Sequence, residues 1–83
     1  MRETNIHTLY DVQQVLKKFG IYVYVGKRIW DIELMAIELD RLYHEQVIDQ
    51  ATFITCKLVL NREHKIEEQG MKKDNGKPKV NWN

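Results

Sequence analysis

The sequence predicts an all-α protein: a three-helix irregular bundle with an extended connector between helices 1 and 2 and a flexible basic C-terminal tail. Three observations support this prediction. Apolar residues recur at helical spacing in three separate segments. A single β-branched and aromatic run lies between the first two segments, and one strand cannot form a sheet by itself. From residue 70 onward the chain is rich in Gly, Lys and Asn, which is typical of a flexible tail.

The first predicted helix spans residues 8–19. Thr8 is a suitable N-cap, and Asp11 favours the positive end of the helix dipole. Gly20 is a natural stop. One apolar stripe runs along this helix: Leu9, Val12, Val15, Leu16 and Phe19.

The connector is the run Ile-Tyr-Val-Tyr-Val-Gly over residues 21–26. Its composition predicts an extended segment that lies on the helices. Tyr22 and Tyr24 are two positions apart, so they share one side of such a segment.

The second predicted helix spans residues 27–46 and has two apolar faces. Two opposed apolar faces predict a central helix that neighbours cover on both sides, and the alternative is that the second face binds a partner. Asp31, Glu38 and Glu45 recur every seven residues, which predicts a side exposed to water. The first apolar face comprises Ile32, Met35, Ala36, Leu39 and Tyr43; the second comprises Trp30, Leu34 and Ile37.

The third predicted helix spans residues 50–69, with Asp49 as its cap. It carries two apolar lines: Ala51, Ile54 and Leu58 form one, and Phe53, Cys56 and Leu60 form the other. The predicted domain organisation is therefore a three-helix domain over residues 1–69 and a basic tail over residues 70–83.

Composition and charge restrict the class of protein. The formal net charge is +1, although residues 27–49 carry three basic and six acidic groups and residues 70–83 carry four basic and one acidic. The chain has one cysteine, no apolar run long enough for a membrane span, and a polar start at residues 1–5. A secreted domain of this size usually needs disulfides, so we expect a cytoplasmic protein without a membrane partner.

The sequence contains no set of residues suited to catalysis. It has no serine, and Cys56 lies inside an apolar helical line. His7, His44 and His64 have no metal-ligand spacing, and exposed surface positions explain all three. We therefore expect a protein that is not an enzyme and that has no metal site and no cofactor.

One group of residues has the chemistry of a binding site. Basic and aromatic residues alternate there, as in sites where cations contact phosphates and rings stack on bases. The opposing interpretation is that the aromatic rings only cover the core. The candidate nucleic-acid-binding residues are Lys17, Lys18, Tyr22, Tyr24, Lys27, Arg28 and Trp30.

The order and spacing of several short motifs resemble the YqgQ family of small proteins from low-GC Gram-positive bacteria. The resemblance covers residues 9–63 and implies a three-helix, irregularly arranged all-α fold. Single-stranded nucleic-acid binding has been proposed for this largely uncharacterised family, which has no agreed site residues. The matching positions are Tyr10 to Gln14, Gly20, Tyr24, Gly26, Arg28, Asp31, Glu33 to Met35, Leu39, Leu42, Tyr43, Ile48, Asp49 and Phe53.

Two hypotheses of function follow from the sequence. The first is a small non-enzymatic binding module for single-stranded RNA or DNA. The alternative is a protein–protein adaptor or a small regulatory or oligomerisation subunit. In that case the Trp30, Leu34 and Ile37 face would contact a protein partner or a second copy.

Overall fold

The computed structural model describes the backbone of residues 5–75 and the side chains of residues 5–70. Over that range the chain forms three helices and no strand, which confirms the predicted all-α, three-helix fold. The helices are α1 (Leu9–Lys17), α2 (Arg28–His44) and α3 (Gln50–Asn75), and α1 packs against both of the others.

Helices α2 and α3 form an antiparallel hairpin. Near the turn, the ring of Tyr43 stacks on that of Phe53 with their centroids 4.2 Å apart. At the opposite end, the guanidinium of Arg28 pairs with Glu63 at 3.1 Å and with Glu67 at 3.2 Å. The start of α2 therefore lies beside the distal half of α3.

The predicted N-cap of α1 is present as a capping box. The Thr8 hydroxyl accepts a hydrogen bond from the Asp11 N–H at 3.2 Å. The Asp11 carboxylate accepts in return from the N–H groups of His7 at 2.9 Å and Thr8 at 3.0 Å. These two backbone donors hold the pKa of Asp11 below its usual range.

The capping box that includes Asp11 should make the stability of the folded chain depend on pH. The pKa of Asp11 is lower in the folded chain than in the unfolded chain, where it is about 3.9. The stabilisation from the Asp11 cap is therefore fully present above the pKa of Asp11 in the unfolded chain. It is lost as pH falls through the lower pKa of Asp11 in the folded chain. We expect Asp11→Asn to melt at a lower temperature than the natural chain at neutral pH. The two melting temperatures should converge in acid, and a constant difference at every pH would contradict this account.

Helix α1 ends earlier than predicted. Its last helical residue is Lys17, and the chain then turns at Gly20, which has a φ of +77°. The Ile21 N–H returns to the Leu16 carbonyl at 3.1 Å and closes the end of the helix. Phe19, predicted as part of the apolar stripe, lies in this turn and is 41% exposed.

The first apolar face of α2 supplies the centre of the core. Ile32, Met35 and Leu39 are fully buried there, as the sequence predicts. The prediction of a helix covered on both sides is wrong, because α1 and α3 both pack on this one face. The second face consequently remains exposed.

Only one of the two apolar lines of α3 packs on the core. Cys56 and Leu60 are fully buried, whereas Ile54 and Leu58 are exposed. The predicted Asp49 cap is confirmed, since its carboxylate accepts from the Thr52 N–H at 2.8 Å.

Helix α3 is also longer than predicted. It continues through Gly70 to Asn75, past the predicted end at residue 69. The predicted tail at residues 70–83 therefore begins within the helix, and residues 76–83 lie outside the described range.

Two polar side chains that we predicted to be exposed are buried. Asp31 is 7% exposed, and its carboxylate accepts a hydrogen bond from the Val25 N–H at 2.6 Å. His64 is 2% exposed, and its Nε2 lies 2.9 Å from the Glu33 carboxylate. In each case a hydrogen-bond partner from another segment offsets the loss of hydration.

Candidate functional site

Because α1 ends at Lys17 and α2 begins at Arg28, the connector is longer than the predicted residues 21–26 and covers residues 18–27. A groove runs between α1 and this connector. It consists of two adjoining hollows that share Gln13 and Tyr24. Lys17, Tyr22 and Met35 contribute to the first hollow. The second is lined by Thr8, Leu9, Tyr10, Gln13, Tyr24, Gly26, Arg28, Asp31 and Glu63.

The connector alternates between the core and solvent along its length. Ile21 and Val23 are half-buried and pack on the core. Tyr22 and Tyr24 point the other way and are 71% and 84% exposed. The two rings are therefore surface groups at the edge of the groove, which excludes the interpretation that they only cover the core.

Two hydrogen bonds and one glycine turn fix the path of the connector. The Ile21 N–H is bonded to α1, and the Val25 N–H is bonded to the Asp31 carboxylate of α2. Gly26 then turns the chain into α2 with a φ of +102°, a conformation that residues with a Cβ rarely adopt. Both ends of the tyrosine pair are thus attached to helices.

The groove has a cation in each hollow, but the two cations differ. Lys17 is exposed and lines the first hollow beside Tyr22. Arg28 lines the second hollow, and its charge is already paired with Glu63 and Glu67. Asp31 and Glu63 also line the second hollow, so the formal charges of the groove lining balance.

The other three predicted site residues lie elsewhere. Lys18 lines a separate hollow with Phe19 and Val47. Lys27 and Trp30 contact each other, with the ammonium 5.4 Å from the ring centroid, and neither lines the described groove. Lys17, Tyr22, Tyr24 and Arg28 are the predicted residues that the structure brings together.

The sequence reasoning missed Tyr10 and Gln13, which form the α1 wall of the groove. Tyr10 is 64% exposed and lies outside the apolar stripe of its helix. An aromatic residue on the polar side of an amphipathic helix was the available signal.

The described lining of the groove contains no cysteine and no histidine. Cys56 is fully buried in the core. Within residues 5–75 no group of three His, Cys, Asp or Glu side chains is arranged to hold a metal ion. In the same range no helix is both long enough and apolar enough to cross a membrane.

Comparison with known proteins identifies the family. The YqgQ-like family model matches residues 6–66, which include all of α1, the connector, α2 and most of α3. This chain belongs to the YqgQ-like family. Among its relatives, the uncharacterized protein YqgQ of Bacillus subtilis (strain 168) is 40% identical over 65 residues, which cover 78% of this chain and 92% of the relative. The YqgQ-like region therefore contains both walls of the groove.

Proposed function

We propose that this YqgQ-like chain is a small, cytosolic, non-enzymatic module that binds single-stranded RNA or DNA in the groove between α1 and the connector. The exposure of Tyr22 and Tyr24 on one side of the connector is the observation that carries the proposal. Exposed rings at a groove beside cations are the recurring chemistry of single-strand sites.

The spacing of the tyrosines favours a single strand over a duplex. Side chains two residues apart on an extended segment are about 6.8 Å apart. Bases in a duplex rise about 3.4 Å per step, so neighbouring stacked bases cannot each lie on one of these rings. A flexible single strand can separate its bases and place one on each tyrosine.

The charges of the groove predict a binding mode dominated by stacking. Lys17 and Arg28 are the cations that line its described part, and Arg28 is shared with two carboxylates. Each phosphate contact on a single strand contributes about −0.7 to the slope of log K against log salt. A slope between about −0.7 and −1.4 is expected for one or two such contacts.

The test is fluorescence anisotropy with labelled oligothymidine, oligouridine and a duplex of the same length across a salt series. We expect both single strands to bind more tightly than the duplex, with the shallow salt dependence given above. Absence of binding at low salt would reject the proposal. Equal binding of the duplex would show general attraction to phosphate in place of stacking.

A further inference from the structure

The second hollow of the groove contains a buried carboxylate with an oxygen left over. Asp31 lines this hollow and is 7% exposed. Its Oδ1 atom accepts the Val25 N–H at 2.6 Å, whereas no donor from the described residues is hydrogen-bonded to its Oδ2 atom. Buried charged oxygens normally have hydrogen-bond partners, because their removal from water is costly. An unpartnered oxygen beside a hollow therefore indicates a ligand that donates a hydrogen bond.

The neighbouring charges of this hollow are already engaged. The Arg28 guanidinium pairs with Glu63 at 3.1 Å and with Glu67 at 3.2 Å. The second oxygen of Glu63 lies 3.4 Å from the guanidinium of Arg62. Asp31 is therefore the carboxylate of the described lining that keeps an acceptor atom for a ligand.

Aromatic rings border the same hollow from both walls of the groove. Tyr10 belongs to α1 and Tyr24 to the connector, and these two side chains do not stack on each other. The Asp31 carboxylate is hydrogen-bonded to the N–H of the residue that follows Tyr24. A base that stacks on Tyr24 consequently has one edge within reach of Asp31.

A carboxylate distinguishes the bases by the donors on their edges. Its two oxygens accept two parallel N–H bonds, and each oxygen can accept more than one. Guanine presents adjacent N1–H and N2–H donors on its Watson–Crick edge, where single-stranded bases are commonly recognised. Adenine, cytosine, uracil and thymine place an acceptor atom beside their donor, which would repel the second oxygen. Guanine is thus the base whose edge matches the free side of Asp31.

The two hollows together match a nucleotide better than a cation. Lys17 lies in the first hollow, whose described lining contains no carboxylate, so a phosphate is favoured there. The second hollow offers the acceptor of Asp31, and Tyr24 borders both hollows. A guanidinium ligand also has paired N–H donors, but it would satisfy only the second hollow and would be repelled by Lys17 in the first.

We propose that the groove prefers guanine, with Asp31 as the residue that determines this specificity. The carboxylate accepts the N1–H and N2–H donors of a guanine that is stacked on Tyr24. This inference rests on the proposed binding of single strands and adds a base preference to it.

Anisotropy titrations with short oligothymidine strands that carry one central guanine, hypoxanthine, adenine or cytosine test the preference. We expect guanine to bind more tightly than adenine or cytosine by about 5-fold to 150-fold, as for a bidentate contact to a base. Hypoxanthine lacks the N2 amino group and should lie between them. Equal binding of all four strands would overturn the inference and leave the proposed function intact. Absence of binding by every strand would reject both.

Asp31→Asn tests the assigned residue. The amide oxygen still accepts the Val25 N–H, but the second acceptor becomes a donor. We expect the ratio of guanine-strand to adenine-strand affinity to fall toward one. Asp40→Asn is the matched control, because it makes the same change on the same helix at a residue that is paired with Lys57 and does not line the groove. A guanine preference that persists in Asp31→Asn would overturn the assignment. If circular dichroism shows that this variant is unfolded, equal binding of guanine and hypoxanthine by the natural chain would overturn it instead.

Competition with agmatine distinguishes a base site from a cation site. Agmatine carries the paired N–H donors of a guanidinium on a positively charged molecule. We expect guanosine monophosphate to displace the labelled guanine strand at lower concentrations than agmatine does at the same ionic strength. More effective displacement by agmatine, with no such effect on plain oligothymidine, would show a site for cations and overturn the proposal.

Discussion

Replacing both Tyr22 and Tyr24 by alanine should weaken binding of a short single strand by a factor between about 30 and 10⁴. The estimate takes about 1–3 kcal/mol of stacking per base for two rings. Both side chains are mostly exposed, so their removal leaves the core intact. Anisotropy titrations with labelled oligothymidine measure the change, and circular dichroism confirms that the variant is folded.

The matched control is the double change Tyr22→Phe and Tyr24→Phe, which keeps both rings and removes only the hydroxyls. If stacking dominates, this variant should bind nearly as well as the natural chain. A loss as large as that of the alanine variant would assign the interaction to the hydroxyls. Binding by the alanine variant within a factor of about two of the natural affinity would place the site outside the groove.

Leu39→Ala should have the largest effect on folding, with a loss of about 2–5 kcal/mol in the free energy of unfolding. Leu39 is fully buried at the centre of α2, where a cavity cannot be filled by solvent. Urea denaturation at low protein concentration measures the loss. Because a chain of this size has a modest total stability, a large part of the population could unfold at room temperature.

Leu34→Ala provides the matched comparison, since it makes the same chemical change on the same helix at a site that is 41% exposed. Its effect on the free energy of unfolding should stay below about 1 kcal/mol. Similar losses at the two positions would mean that the two faces of α2 are buried to a similar extent.

Local patterns in the sequence accounted for the positions of the helices. The Thr8 cap, the Gly20 stop and the Asp49 cap are decided by residues within one helical turn, and all three are present in the structure. The buried face of α2 was likewise predictable, because a periodic apolar face requires only helical geometry.

Contacts between distant segments were not predictable in the same way. His64 is buried through a carboxylate on another helix, and Asp31 through a backbone N–H of the connector. Neither hydrogen-bond partner can be identified from the residues that adjoin Asp31 or His64 in the sequence. The sequence also could not decide whether Trp30 is covered, since that depends on the side of α2 to which α1 packs.

Only part of the candidate site was predictable, because the rest depends on how distant segments lie in space. Proximity in sequence grouped seven residues, but helix direction separates them in space. Arg28 and Trp30 are two positions apart on α2, which places them about 200° apart around the helix. Arg28 therefore reaches the groove, whereas Trp30 lies on the exposed second apolar face of α2.

The hydrogen bond from Val25 to Asp31 has a consequence for the thermodynamics of binding. Fixing one residue of a mobile loop costs about 1–2 kcal/mol in conformational entropy. Here the connector is already tied to α1 and α2 before any ligand arrives, so that entropy is lost during folding and not during association. Under the proposed function, stacking on the two tyrosines would therefore require little further ordering of the backbone, which favours affinity.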